Sequence, residues 1–226
     1  MMNLNFDDIY PDVHDISDTV HIEHISNAVR RPVCIFGILE SKQGLLIRDE
    51  MLSWLKLEYD VWCVYQRLPG RLFEYPALRL AQYMSIQDSI DRLLYVHTKG
   101  AANNSEIQKR IRILWRHEFT ESRAKLYMNE DADVMCPFCG TSKETWYNGM
   151  FISKHAFESI GRLVPSFDRY DYQRLFRNCP DVTVKGLIKN NINCVDVNTY
   201  MMTTDITMRG RRPDFTQALV WTPKKH

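Results

Sequence analysis

No stretch of about 18 apolar residues occurs in the 226-residue chain, so a membrane-spanning helix of ordinary length has nowhere to form. An excess of one charge is also missing, since 29 Lys and Arg face 28 Asp and Glu for a net charge of +1. Without a net field, general attraction to nucleic acid or to an anionic membrane surface is not expected, and any anionic ligand must be held by local groups. Cysteine is too sparse for a disulfide scaffold, six residues in a chain of this length. The amino terminus is acidic and polar instead of basic and then apolar, so it does not read as a secretory leader. No internal repeat and no low-complexity linker is present. These absences predict a cytoplasmic chain with no membrane span and no nucleic-acid partner.

What is present is an ordinary core-forming composition, 45% hydrophobic and 25% charged, for which one domain is the default. Residues 1–30 carry Asp7, Asp8, Asp12, Asp15, Asp18 and Glu23 among scattered apolar positions and read as an arm or edge element, with residues 31–226 as a single domain. Arg31 to Leu39 is a strand apolar on both faces, and Val61 to Tyr65 is a second. Between them, Leu45, Leu46, Met51, Leu52 and Leu55 recur near one side at helical spacing, which makes a strand-helix-strand unit. Pro69-Gly70 closes the loop behind the second strand. A helix over 74–85 follows, with Pro76 tolerated in its first turn. A long helix is expected from the Ser105 cap to about Met128. Apolar stretches at Val134-Met135 and Trp146 to Ile152 come next, then helical patterns at about 154–162 and 169–177. From Val182 onward the chain reads as short strands and loops, ending in Lys224-Lys225-His226. The expected fold is α/β, with a mostly parallel central sheet flanked by helices.

The sharpest chemistry lies in Leu93-Leu94-Tyr95-Val96-His97-Thr98-Lys99-Gly100, a buried strand of a parallel sheet that stops abruptly in polar groups. Ligands of open α/β sheets bind at carboxyl ends of strands, where connections diverge. His97, Thr98 and Lys99 would there offer imidazole, hydroxyl and ammonium groups to a phosphorylated or sugar ligand. An ordinary polar strand-to-loop junction is the bland alternative.

Glu74-Tyr75-Pro76-Ala77-Leu78, then Leu94 to Gly100, Trp115-Arg116, Tyr147 to Ile152 and Asp168-Arg169-Tyr170-Asp171 occur in one order over roughly residues 31–177. In that order they resemble a family of glycosyltransferases from bacterial polysaccharide gene clusters that share a tyrosine-x-histidine-threonine-lysine-glycine signature. The resemblance implies a Rossmann-like domain of the glycosyltransferase A (GT-A) type, a nucleotide-sugar donor, and a glycan or lipid-linked acceptor in surface polysaccharide synthesis. It also implies substrate contacts from Glu74, His97, Thr98, Lys99, Gly100, Arg116, Asn148, Gly149 and Tyr170. Two departures stand out: Asn148-Gly149-Met150-Phe151-Ile152 changes the family's order, and Gln173 stands where a glutamate is expected. Either Asp168 or Asp171 then serves as the base, Asp171 being the first choice, or the chain binds its ligand without catalysis.

Sugar transfer releases a nucleoside diphosphate whose growing negative charge must be met by a cation or aimed donors. With no carboxylate pair at the strand end, Lys99, helped by His97 or Arg116, is the expected source, and a divalent metal (Mn or Mg) is the alternative cofactor. Asp168 and Asp171 have the competing reading of helix-start caps. A literal aspartate-x-aspartate, Asp131-Ala132-Asp133, follows a helix instead of ending a strand and reads better as a solvated turn. Cys136-Pro137-Phe138-Cys139 looks like one zinc knuckle, but neither Cys179, Cys194 nor His155 supplies a second pair. Trp115 reads as core, and its neighbour Arg116 points about 100° away.

Overall fold

The computed structural model describes residues 4–26, 31–67, 72, 74–88, 90–120, 131–166, 168–189 and 194–203. Its strands are β1 (Val20–Ile25), β2 (Val33–Leu39), β3 (Asp60–Gln66), β4 (Arg92–His97), β5 (Val134–Phe138), β6 (Met150–Ser153) and β7 (Val184–Lys189). Its helices are α1 (Phe6–Ile9), α2 (Lys42–Glu58), α3 (Tyr75–Gln87), α4 (Glu106–Glu118), α5 (Lys154–Ser159) and α6 (Cys194–Thr203). One seven-stranded sheet in the order β1-β3-β2-β4-β6-β5-β7 carries them.

The sheet is mixed, which corrects the mostly parallel arrangement expected. β3, β2 and β4 run parallel, as do β5 and β7, but β1 pairs antiparallel with β3, and β6 pairs antiparallel with both β4 and β5. The short β6 is reached from β5 through a chain reversal, so it enters between two strands that point the other way.

Two helical layers explain why the strands lack simple alternation. On β4, Leu93 and Tyr95 join a core with α1, α3 and α5, while Leu94 and Val96 join a second core with α2, α4 and α6. β2 and β3 divide the same way, Ile35, Trp62 and Val64 against Cys34, Phe36, Val61 and Cys63. A strand covered on both faces must be apolar at every position.

α2 begins at Ser41, whose side chain accepts from the Gly44 amide at 2.9 Å, and buries Ile47, Met51, Trp54 and Leu55 at helical spacing. α4 begins at Ser105, whose amide donates to Gln108 Oε1 at 3.2 Å. It ends at Glu118, ten residues before the expected end, where the Phe119 amide donates to the Trp115 carbonyl and its own carbonyl accepts the Tyr59 hydroxyl. Residues 121–130, 69–70 and the basic tail lie outside the described residues. The segment 194–203, expected as strand or loop, is helical and buries Val197 and Met201 one turn apart. The second helical pattern, at 169–177, forms a 3-10 turn over Arg169–Arg174. In the amino-terminal segment, β1 is the edge strand, and Ile9, Tyr10 and Ile16 are buried against α3 and its neighbours. Among the described residues no helix is long and apolar enough to cross a membrane.

The turn from β2 into α2 brings backbone close against backbone. A Cβ on Gly44 would lie 1.9 Å from the Leu39 carbonyl oxygen, a contact that rotamer changes cannot relieve. Gly44→Ala is therefore expected to cost about 3 kcal/mol of stability, read as a lower denaturation midpoint. A midpoint equal to that of the parent would contradict the packing described.

Candidate functional site

β2, β3 and β4 all end on one side of the sheet, and a cleft of about 350 Å³ opens there. Its walls come from Gly37–Leu39 at the end of β2, Glu74 at the start of α3, Tyr95 and His97 on β4, and the loop from Thr98 to Asn103. Continuing β4 beyond His97, the Thr98 amide donates to the Gly37 carbonyl at 2.8 Å, and the Leu39 amide donates to Thr98 Oγ1 at 3.1 Å. Thr98 thus spends its hydroxyl as an acceptor in stitching two strand ends together. Gly100 has φ +97°, a conformation that favours glycine, and a Cβ there would lie 3.0 Å from Arg112 Nη1.

Arg112, which the sequence did not single out, holds this loop in place. It is buried on α4, and Nη1 donates to the Lys99 carbonyl at 2.8 Å and to Asn104 Oδ1 at 3.1 Å. Nε and Nη2 donate to the Glu50 carboxylate on α2 at 3.1 to 3.2 Å. One planar guanidinium therefore joins two helices to the loop between them. The Ser41 hydroxyl, at the start of α2, reaches the Ala101 carbonyl at 3.5 Å.

Asn148 approaches from β6's side. It has φ +52°, is buried, and donates from Nδ2 to Glu74 Oε1 at 3.4 Å. Its Oδ1 accepts from the Thr145 hydroxyl at 3.3 Å, and the Thr145 amide donates to the Gln173 carbonyl at 2.8 Å. Segments around Glu74, Asn148 and Gln173 are far apart in sequence and meet beside the cleft. Gly149 packs so closely on Trp115 that a Cβ would lie 2.4 Å from the indole. Trp115 is fully buried, as expected of core, and its ring lies 5.6 Å from that of His97.

Other expected site residues are placed elsewhere. Arg116 is exposed on α4 and is not part of the cleft wall. Asp168 accepts from the Tyr170 amide at 2.9 Å and caps the Arg169–Arg174 turn, while Asp171, inside that turn, accepts the Ser166 hydroxyl. Both are exposed, as is Tyr170, and none of the three lines the cleft. Glu74 is the carboxylate in the cleft wall.

Asp133 lies before β5, at the end of the sheet opposite the cleft. It accepts from the Thr183 amide and hydroxyl at 2.8 Å each, from Ser153 Oγ at 3.1 Å, and pairs with His155 Nδ1 at 2.9 Å. Asp131 is exposed. Asp131-Ala132-Asp133 is therefore a tie between β5, β6 and β7 and not a strand-end metal site. Cys136 and Cys139 are buried thiols that donate to the Phe138 and Gly140 carbonyls. Burial pushes the Cys136 thiol well above the usual thiol range and that of Cys139 up to about 11. Among the described residues no group of three His, Cys, Asp or Glu side chains is arranged to hold a metal.

Arg112→Met keeps the apolar stem and removes the clamp. It is expected to cost about 2 kcal/mol, since Glu50 is half exposed, and to speed amide exchange in residues 99–104; unchanged exchange there would contradict the clamp. Partial burial would raise the pKa of Asp133, but the donors from Thr183, His155 and Ser153 outweigh it and set it at about 2. The bond to Asp133 raises the pKa of His155 above its ordinary 6.5. The Asp133 contribution is present above 3.8 and lost as pH falls towards 2, while that of His155 is present below 6.5 and lost as pH rises through its folded value. The melting-temperature gap between the parent and Asp133→Asn should therefore be largest between about pH 4 and pH 6.5. A gap independent of pH would contradict the pairing.

Comparison with protein-family models, with curated proteins and with solved structures finds no match to this chain.

Proposed function

We propose that the protein is a glycosyltransferase of GT-A-like architecture that takes a nucleoside-diphosphate sugar in the cleft at the ends of β2, β3 and β4. The donor sugar would pass to a glycan or lipid-linked acceptor in bacterial surface polysaccharide synthesis. The observation that carries the reading is the placement of His97, Thr98, Lys99 and Gly100 together in the wall of one open cleft, beside the Glu74 carboxylate. A strand-end crevice is where an open α/β sheet binds a ligand, and a cation beside a carboxylate suits a pyrophosphate joined to a hydroxyl-rich ring.

In the transfer, the acceptor hydroxyl oxygen forms a bond to the anomeric carbon while the bond from that carbon to the diphosphate oxygen breaks. The proton passes to a base, and the leaving diphosphate takes the electron pair. In this reading Lys99, a largely buried side chain of the cleft wall, meets the charge that grows on the diphosphate. Glu74, with its Oε1 held by Asn148, replaces Asp171 as the group placed to take the proton. The strand end offers a cation and not a pair of carboxylates, a donor set that does not fit a divalent metal, so no step is assigned to one.

A binding protein without transferase activity is the second reading. It is favoured by the capping role of Asp168, by the local bond from Ser166 to Asp171 and by Gln173 in place of a carboxylate. One experiment separates the readings. Melting temperature is measured with UDP, GDP, CDP and dTDP sugars, and release of nucleoside diphosphate is then followed with the stabilising donor in excess EDTA. The transferase reading expects stabilisation by one nucleotide class, turnover that survives EDTA, and a loss of about 10²-fold in turnover in Lys99→Ala. Stabilisation without turnover supports the binding protein. No stabilisation by any donor would overturn both.

A further inference from the structure

Tyr95 is fully buried on β4, two residues before His97 on the same face, and it lines the cleft. The two rings are nearly parallel, 6° apart in plane with centroids 6.2 Å apart. Its hydroxyl is enclosed, and among the described residues it has no hydrogen-bond partner. A buried hydroxyl left in that state costs about 1–3 kcal/mol, and phenylalanine would pack the same ring without the cost. Burial, then the fields of Glu74 and Tyr172, push its pKa well above the ordinary phenol value, so the group is a standing donor. A donor beside an acceptor carboxylate in the wall of a cleft is the pairing that recognises a sugar hydroxyl, which must both accept and donate.

We propose that Tyr95 sets the specificity of the cleft by reading ring hydroxyls of the ligand. Its phenol donates to one ring hydroxyl beside the Glu74 carboxylate, and the Lys99 to Asn103 loop faces the diphosphate. The inference rests on the glycosyltransferase reading and adds the chemical class read at the inner end of the cleft: a polyhydroxylated ring. Ribose of the nucleotide and the transferred sugar share that chemistry.

The test uses the full chain and Tyr95→Phe. Melting without ligand is compared first, then calorimetric titration with UDP and UDP-glucose, GDP and GDP-mannose, and dTDP and dTDP-glucose. Tyr95→Phe is expected to melt at or above the parent temperature and to bind the preferred nucleotide sugar at least about tenfold more weakly, about 1.4 kcal/mol. A loss confined to the nucleotide sugar identifies the transferred sugar as the ring. A loss seen equally with the bare nucleotide identifies ribose. Equal dissociation constants in the two proteins, or a lower melting temperature of the unliganded variant, would overturn the inference and leave the transferase reading standing. A parent protein that binds none of the six compounds would overturn that reading, and this inference with it.

Discussion

A single buried guanidinium decides the shape of the cleft. Arg112 reaches from α4 to the Glu50 carboxylate on α2, to the Lys99 carbonyl and to Asn104, and so fixes the loop that follows the central strand. Without it, residues 99–104 would lose their tie to α4, while Thr98 would stay bonded to the end of β2. With it, His97 to Asn103 is held as the wall of the cleft. Gly100 completes the arrangement, because its φ of +97° turns the chain beneath Arg112 where a Cβ would crowd the guanidinium and Gln108.

The two ends of the sheet are organised by different kinds of polar group. At one end, Asp133 gathers four donors and joins β5, β6 and β7, so its carboxylate is saturated by the protein itself. At the other end, Tyr95 is one of the residues lining the cleft, and its enclosed hydroxyl has no hydrogen-bond partner among the described residues. Saturated polar groups serve the fold. A buried hydroxyl left unsatisfied costs free energy that a bonded ligand would recover.

β2, β3, β4 and the helices between them were legible in the sequence because each carries a single dominant pattern. The strands are continuous apolar runs, since both faces are covered, and α2 repeats its apolar residues at helical spacing. The entry of β6 was not legible, since four residues give no sign of pairing direction. Nor was α6, whose Val195, Val197 and Thr199 favour strand by local preference until packing of Val197 and Met201 overrides it. In the site, His97 to Gly100 announced themselves as polar residues closing an apolar strand. Arg112 and Glu50 did not, because they are 62 residues apart and each reads as an ordinary charged position on a helix. Asp168 and Asp171 attract attention by residue type alone, and the hydrogen bonds that occupy them are local ones that residue type does not reveal.

The central claim is that the wall built by Arg112 meets the diphosphate of a nucleotide sugar. Hydrogen-deuterium exchange of the intact chain, with and without a saturating nucleotide sugar, tests it most directly. The account predicts slowed exchange in residues 97–104 and 37–41, with β5 and β7 unchanged. Slowing confined to the Asp133 end of the sheet, or none anywhere, would contradict it.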